Sequence, residues 1–123
     1  MFIPSPNQGN LRLQPINARI GKIANSACFN YIHGHLDRFI LSSTTPNVTF
    51  RARDLVGGRN TWNGTPLMDI HNFYIQQGVN DPDNKAAIDV GRLLKSVISH
   101  HPRQFTTTAG SGSRFLPRTY QIV

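Results

Sequence analysis

The sequence predicts a single α+β domain, and three observations lead to this prediction. Its 123 residues are enough for one compact core and too few for two ordinary domains. The C-terminal half has two segments with apolar residues at helical spacing, each preceded by a helix-start signal. β-Branched and aromatic runs typical of strands occur around Val48 and at the chain end. We expect a small sheet from the N-terminal half, then two or three helices and a terminal β-hairpin.

The N-terminal half is harder to interpret. Residues 1–10, rich in Pro, Gly and Asn, predict a flexible arm, with residues 11–123 as the domain. Leu11–Ile23 fits either a strand or a short helix. Ala27–Leu41 is densely apolar with Gly34 between two histidines, which predicts a strand, a turn and a second strand or short helix. Val48–Arg53 alternates as a strand does. Its outward face would present Thr49, Arg51 and Arg53.

The first predicted helix lies between Thr65 and Gly78. Thr65 is a suitable N-cap, Pro66 suits the first helical position, and Gly78 suits the C-terminal stop. Between these positions, four apolar residues lie on one face of the predicted helix: Leu67, Ile70, Phe73 and Tyr74. Burial is the default expectation for the aromatic residues; Trp62, in the polar loop before this helix, and Phe115, near the chain end, are the two to test for exposure.

A second helical segment follows Asn80 or Asp81, either of which is a suitable cap, with Pro82 in the first turn. Its predicted apolar face contains Ala87, Val90, Gly91, Leu94, Val97 and Ile98. The opposite face contains Lys85, Asp89, Arg92, Ser96 and Ser99, with Lys95 at its edge. Gly91 inside this segment predicts either a close helix contact or a turn between two shorter helices.

The chain end predicts a β-hairpin. Arg103–Thr108 and Thr119–Val123 have strand composition, and Ala109–Ser113 is a flexible tip. Arg114 and Arg118 make the connection basic.

Charge is the most informative bulk property. Thirteen Lys and Arg against six acids give a net charge of +7, and the acids are all Asp. Residues 1–53 contain six basic residues and one acid (+5), residues 54–90 two and five (−3), and residues 91–123 five and none (+5). Two basic segments around an acidic one favour a surface that binds phosphates, and most of the cations are Arg, which forms paired hydrogen bonds with phosphates. A basic charge that only keeps the protein in solution is the alternative.

Residues 63–123 resemble a winged-helix domain in the order of their elements. Ala87, Gly91 and Val97 have the spacing of a helix-turn-helix, in which the glycine takes the turn. The resemblance implies that Arg92–His100 is the recognition helix and that the loop with Arg114 and Arg118 is the wing. The chain departs from the family's pattern at Arg92 and at His100, where apolar residues are usual.

These observations predict a non-enzymatic protein that binds nucleic acid, with duplex DNA favoured over RNA, as a regulator or as an accessory subunit. The resemblance and the charge pattern together name the expected binding residues: Arg92, Lys95, Ser96, Ser99, Arg103, Arg114, Arg118, Arg51, Arg53 and Arg59. A homodimer is compatible with this prediction. An alternative is a structural subunit of a larger assembly, or an inhibitor that docks on an acidic protein surface.

Catalysis and metal binding receive less support from the residues. A small nuclease stays open as an alternative, and it requires a carboxylate or histidine cluster in a cleft. Cys28, His33 and His35, completed by His71 or by His100–His101, match no standard zinc spacing, so we expect neither a metal nor another cofactor. The single cysteine, the absence of a membrane-length apolar run and a start without signal-peptide features predict a cytoplasmic protein without membrane association.

Overall fold

The architecture combines four helices with one sheet, in agreement with the predicted α+β class. The structure, a computed structural model, describes residues 3–5, 20–42, 48–107 and 119–122. Its elements in chain order are β1 (Ile3–Ser5), α1 (Lys22–Ser42), β2 (Thr49–Phe50), α2 (Ala52–Val56), a 3-10 turn (Arg59–Thr61), α3 (Met68–Gln77), α4 (Pro82–His100), β3 (Phe105–Thr107) and β4 (Tyr120–Ile122).

The four strands form one antiparallel sheet in the order β1-β3-β4-β2. Its centre is the predicted C-terminal hairpin, in which Thr107 pairs with Tyr120. The N-terminal half supplies the two edge strands rather than a sheet of its own. Of the predicted arm at residues 1–10, only β1 is described, and it is extended and paired with β3. The rest of that arm, residues 11–19 and the hairpin loop at 108–118 lie outside the described residues.

Helix α1 replaces the predicted strand, turn and second element between Ala27 and Leu41, so that prediction was wrong. Cys28, Ile32 and Leu36 recur at intervals of four residues and are buried on one face. This interval is close to one helical turn, so the three side chains lie on the same face. Their burial outweighs the free-energy cost of a glycine inside the helix. Gly34 is exposed and lies within the uninterrupted helix.

The strand predicted at Val48–Arg53 is short, because a helix begins within it. Only Thr49–Phe50 pairs with β4. The Arg51 backbone N–H donates to Asp54 Oδ2 at 2.8 Å, which starts α2 at Ala52. A carboxylate at this position satisfies a backbone donor that strand pairing would otherwise require. The predicted outward strand face of Thr49, Arg51 and Arg53 therefore does not form.

Helix α3 is present as predicted, but it starts later than expected: its N-cap is Leu67 and its first helical residue is Met68, so Thr65 is not the cap and Pro66 is not the first helical residue. Thr65 Oγ1 instead accepts from the Leu67 N–H at 3.3 Å, in the turn before the helix. Gly78 ends the helix with φ of 66°, a left-handed conformation that glycine adopts readily.

Helix α4 starts as predicted but differs along its length. Asp81 accepts from the Asn84 N–H at 3.3 Å, and Pro82 occupies the first turn. The helix then continues without interruption through Gly91 to His100, so the turn predicted at Gly91 was wrong. Its buried face is also rotated from the predicted one: Ala86, Asp89, Val90, Leu93, Leu94, Val97 and Ile98.

The core lies where α4 meets the other helices and one face of the sheet. Helix α4 contacts α1, α2 and α3. Phe50 lies at the sheet side of this core, with ring centroids 6.0 Å from Phe105 and 5.8 Å from Tyr120. Trp62, one of the two aromatic residues to test for exposure, is buried, and its indole N–H donates to the Val56 carbonyl at 3.1 Å. Phe115 lies outside the described residues.

Candidate functional site at the junction of α1 and α4

Two histidines share one aspartate where the C-terminal end of α4 meets the middle of α1. His33 Nδ1 lies 3.2 Å from Asp37 Oδ2, and His101 Nε2 lies 2.7 Å from Asp37 Oδ1. The two imidazole centroids are 5.2 Å apart. Asp37 is thus held through both of its oxygens, each by a different ring. We refer to His33, Asp37 and His101 as the histidine–aspartate cluster.

The backbone next to His101 determines which of its ring nitrogens carries the proton. The Arg103 N–H donates to His101 Nδ1 at 3.0 Å, so Nδ1 carries a lone pair and no proton. Nε2 must then carry the proton that it donates to Asp37. His101 is consequently a neutral imidazole with both nitrogens satisfied inside the protein.

This protonation pattern bears on metal binding, although the three ligand atoms lie within 4.8 Å of one another. A metal ligand must offer a lone pair, and its other ring nitrogen normally donates outward. His101 has the opposite arrangement: Nε2–H faces the cluster and Nδ1 accepts from the backbone. His101 is therefore not oriented as a metal ligand, and the cluster does not fit a metal ion.

Cys28 does not belong to this cluster. Its thiol is buried and donates to the Pro66 carbonyl at 3.2 Å. Burial, with a smaller contribution from the charge of Asp69, raises the pKa of Cys28 from 9.0 to about 12. His35 also lies apart, with its ring 4.5 Å from that of Tyr31. The set of Cys28, His33 and His35 considered from the sequence is therefore not assembled.

His33 is the accessible member of the cluster. The Asp37 carboxylate oxygen lies 3.2 Å from His33 Nδ1, and its charge favours a proton on that nitrogen, which leaves the lone pair on Nε2. The His33 side chain is 37% exposed, and Nε2 has no partner among the described residues. Asp37 thereby orients a basic nitrogen that is available to a ligand.

In His100, as in His33, the ring proton is placed on Nδ1. Its Nδ1 lies 2.7 Å from the Ser96 carbonyl oxygen, which can only accept, so Nδ1 carries a proton. Phe29 joins the two rings: its centroid is 6.3 Å from that of His33, stacked, and 6.1 Å from that of His100, edge-on. The two histidines therefore flank one aromatic side chain at the helix junction.

The predicted binding residues on α4 share one side of the helix, because they follow one another at intervals of three or four residues. Arg92, Lys95, Ser96 and Ser99 are all partly buried. Arg92 donates to Asp89 Oδ1 at 3.2 Å, and Asp89 is only 1% exposed and also accepts from Tyr74 Oη at 2.6 Å. Part of the Arg92 charge is thus neutralised within the fold.

The remaining predicted binding residues are dispersed. Arg103 is exposed just beyond α4, and Arg53 is exposed on α2. Arg51 is exposed but lies 3.5 Å from Asp54 Oδ1. Arg114, Arg118 and the Arg59 side chain lie outside the described residues, so the predicted wing stays a prediction.

The acidic residues are mostly engaged within the fold, whereas many cations are not. Five of the six aspartates contact protein partners: Asp37 with His33 and His101, Asp54 with Arg51, Asp81 with the Asn84 N–H, Asp83 with His71, and Asp89 with Tyr74 and Arg92. Five exposed cations form no ion pair with any aspartate: Lys22, Arg38, Arg53, Lys85 and Arg103. The fold therefore leaves positive charge accessible.

Asp37 is the site residue that the sequence reasoning missed. His33 and Asp37 are four residues apart and face each other only on a helix, which the prediction for Ala27–Leu41 did not include. The contact of Asp37 with His101 spans 64 positions and has no local signal.

Comparisons with known proteins found no match: no family model, curated protein or solved structure is similar to this chain. Among the described residues, no helix is both long and apolar enough to cross a membrane.

Proposed function

We propose that this protein binds nucleic acid through cations on α4 and just beyond its C-terminal end. One observation carries the proposal: the aspartates are mostly engaged inside the fold, while exposed Lys and Arg side chains are left without carboxylate partners. Cations near phosphates release condensed counterions, which supplies sequence-independent affinity. If the basic charge served only to keep the protein in solution, there would be no need for the aspartates to be paired while the cations stay unpaired.

The proposed binding surface is the side of α4 with Lys95, Ser96 and Ser99, extended by Arg103. Hydroxyl groups and cations are the side chains that most often contact phosphates and sugars. Arg114 and Arg118 would add to this surface as a wing, in keeping with the winged-helix resemblance. Arg92 contributes less, because Asp89 accepts one of its donors.

The preference for duplex DNA rested on a separate recognition helix after Gly91, and α4 continues through that position. Duplex DNA and RNA are therefore both ligands to test. We also propose a cytoplasmic location, where the single buried thiol of Cys28 would remain reduced.

Fluorescence anisotropy with labelled duplex DNA and single-stranded RNA tests the proposal, at about 50 and about 200 mM salt. We expect binding that weakens steeply with salt. The double variant Lys95→Ala/Arg103→Ala should lower the slope of log affinity against log salt by roughly 1.8 on duplex DNA, because each lost phosphate contact contributes about 0.9.

Lys22→Ala, which removes an exposed charge at the start of α1, is the matched control and should retain most of the affinity. Salt-insensitive binding, or no binding to either nucleic acid, overturns the proposal. Selective binding to an acidic protein would then favour a role as an interaction subunit.

A further inference from the structure

We propose that His33 and His100 form a general base and general acid for metal-independent cleavage of RNA, with Asp37 and His101 as positioning residues. This activity rests on the proposed nucleic-acid binding and goes beyond it, because binding alone requires no oriented base. The class of substrate is a ribonucleic acid with a free 2′-hydroxyl group next to the scissile phosphodiester.

The first supporting observation is the direction of the hydrogen bonds. The Arg103 N–H donates to His101 Nδ1, and His101 Nε2–H donates to Asp37 Oδ1. Asp37 Oδ2 in turn lies 3.2 Å from His33 Nδ1. The negative charge of the carboxylate favours the His33 proton on Nδ1, which leaves the lone pair on Nε2. A carboxylate that holds the far nitrogen of an imidazole fixes its tautomer and stabilises the cation formed when Nε2 takes a proton.

The second observation is the difference in exposure between the two histidines that contact Asp37. His101 is only 8% exposed. His33, in contrast, is 37% exposed. A purely structural pair needs no accessible nitrogen, whereas a base that acts on an external substrate does.

His100 supplies a second imidazole at the same place. Its Nδ1–H donates to the Ser96 carbonyl, so protonation occurs at Nε2, which has no partner among the described residues. Contact of both rings with Phe29 keeps them on one patch of the surface. Arg103 lies at this patch because its own N–H holds His101, and its exposed side chain can neutralise charge on a phosphate.

The chemistry that such a pair performs determines the substrate. His33 Nε2 takes the proton of the 2′-hydroxyl, and the 2′-oxygen forms a bond to phosphorus. The bond from phosphorus to the 5′-oxygen breaks, and protonated His100 gives its Nε2 proton to that oxygen. The products are a 2′,3′-cyclic phosphate and a 5′-hydroxyl end, with no metal or further reactant needed. DNA has no 2′-hydroxyl and is not a substrate.

The test incubates the full chain with labelled single-stranded RNA in the presence of EDTA. We expect fragments that end in a 2′,3′-cyclic phosphate. A DNA strand with one ribonucleotide should be cut only after that nucleotide. His33→Ala and His100→Ala should each lower the rate roughly 100-fold or more, the usual contribution of general acid–base catalysis.

Two further variants separate catalysis from structure. His35→Ala, on the same helix but outside the cluster, should retain full activity. Asp37→Asn should lower the rate and change its pH profile, because His33 loses the carboxylate that fixes its tautomer; a merely structural role would leave the profile of the residual activity unchanged. Thermal melts identify misfolded variants, and His33→Gln replaces His33→Ala if the latter does not fold.

Binding to 2′-O-methyl RNA, which cannot be cleaved, distinguishes this proposal from the one on which it rests. Binding of this ligand without cleavage of ordinary RNA overturns the catalytic proposal and leaves nucleic-acid binding in place. Cleavage that EDTA abolishes, or that survives both histidine substitutions, also overturns it. Absence of all binding overturns both proposals.

Discussion

Two carboxylates, one within α4 and one beside its C-terminal end, lie in different surroundings. In the N-terminal half of α4, Asp89 is 1% exposed and accepts from Tyr74 Oη and from Arg92. Beyond the C-terminal end of α4, Asp37 of α1 is 46% exposed, accepts from His101 and lies 3.2 Å from His33 Nδ1. The first carboxylate joins α3 to α4 within the protein. The second joins α1 to the segment after α4 and leaves one imidazole nitrogen available.

The difference teaches that contact chemistry alone does not identify a functional site. His71 also lies beside a carboxylate, with Nε2 2.6 Å from Asp83 Oδ1, but its side chain is only 7% exposed. The buried imidazole of His71 therefore joins α3 to the start of α4, whereas Asp83 itself is 63% exposed. Exposure of His33 at a shared carboxylate is what favours a functional interpretation of the α1–α4 junction.

The largest expected effect comes from removing each carboxylate in turn. Asp89→Ala should lower the free energy of unfolding by about 2–3 kcal/mol, because Tyr74 and Arg92 lose a buried charged partner. Asp37→Ala should cost about 1 kcal/mol, since water can replace the partner of a half-exposed group. Urea denaturation followed by the fluorescence of buried Trp62 measures both values. A larger loss at Asp37 than at Asp89 would contradict the comparison.

An intermediate effect is expected from Cys28, which lies on α1 with His33 but faces the interior. Its pKa is raised from 9.0 to about 12 by burial and by Asp69, so the native thiol stays protonated after the unfolded thiol ionises. Stability from this group is complete below pH 9 and is lost as pH rises from 9 to about 12.

Cys28→Ala should therefore flatten the fall of unfolding free energy across that window, after subtraction of the shared titration of other groups. The native thiol should also resist alkylation at pH near 8, roughly its ordinary range, and react once unfolded. Rapid alkylation of the folded protein would show that Cys28 is accessible to solvent. It would then not differ in accessibility from His33 on the same helix, which contradicts the comparison.

The smallest expected effect is at Gly91. A Cβ atom there would meet no atom within 4 Å, so Gly91→Ala should stabilise the protein by about 0.5–1 kcal/mol through helix propensity. Gly78→Ala is the matched control, and at φ of +66° it should destabilise by about 1 kcal/mol. If Gly91→Ala destabilised the protein in thermal or urea unfolding, the result would contradict a continuous α4 and favour a turn at Gly91, as in a helix-turn-helix.

Sequence reasoning succeeded where the determining contacts are local. Gly78 ends α3, and Asp81 with Pro82 starts α4, because caps act on backbone groups only two or three residues away. It failed at α1, where Gly34 between two histidines resembles a turn. The stripe of Cys28, Ile32 and Leu36 decides that segment by burial, which becomes visible only when α4 is in place.

By itself the amino-acid sequence determined the α+β class, the end of α3, the start of α4, the terminal hairpin and the separation of charge along the chain. These follow from backbone hydrogen bonding and from composition, which act over short distances. Only the tertiary structure decided that α4 is continuous, that Asp89 is buried with Arg92, and that His33, Asp37 and His101 meet. The physical reason is that burial and long-range hydrogen bonds depend on which helices pack together, and no local pattern contains that information.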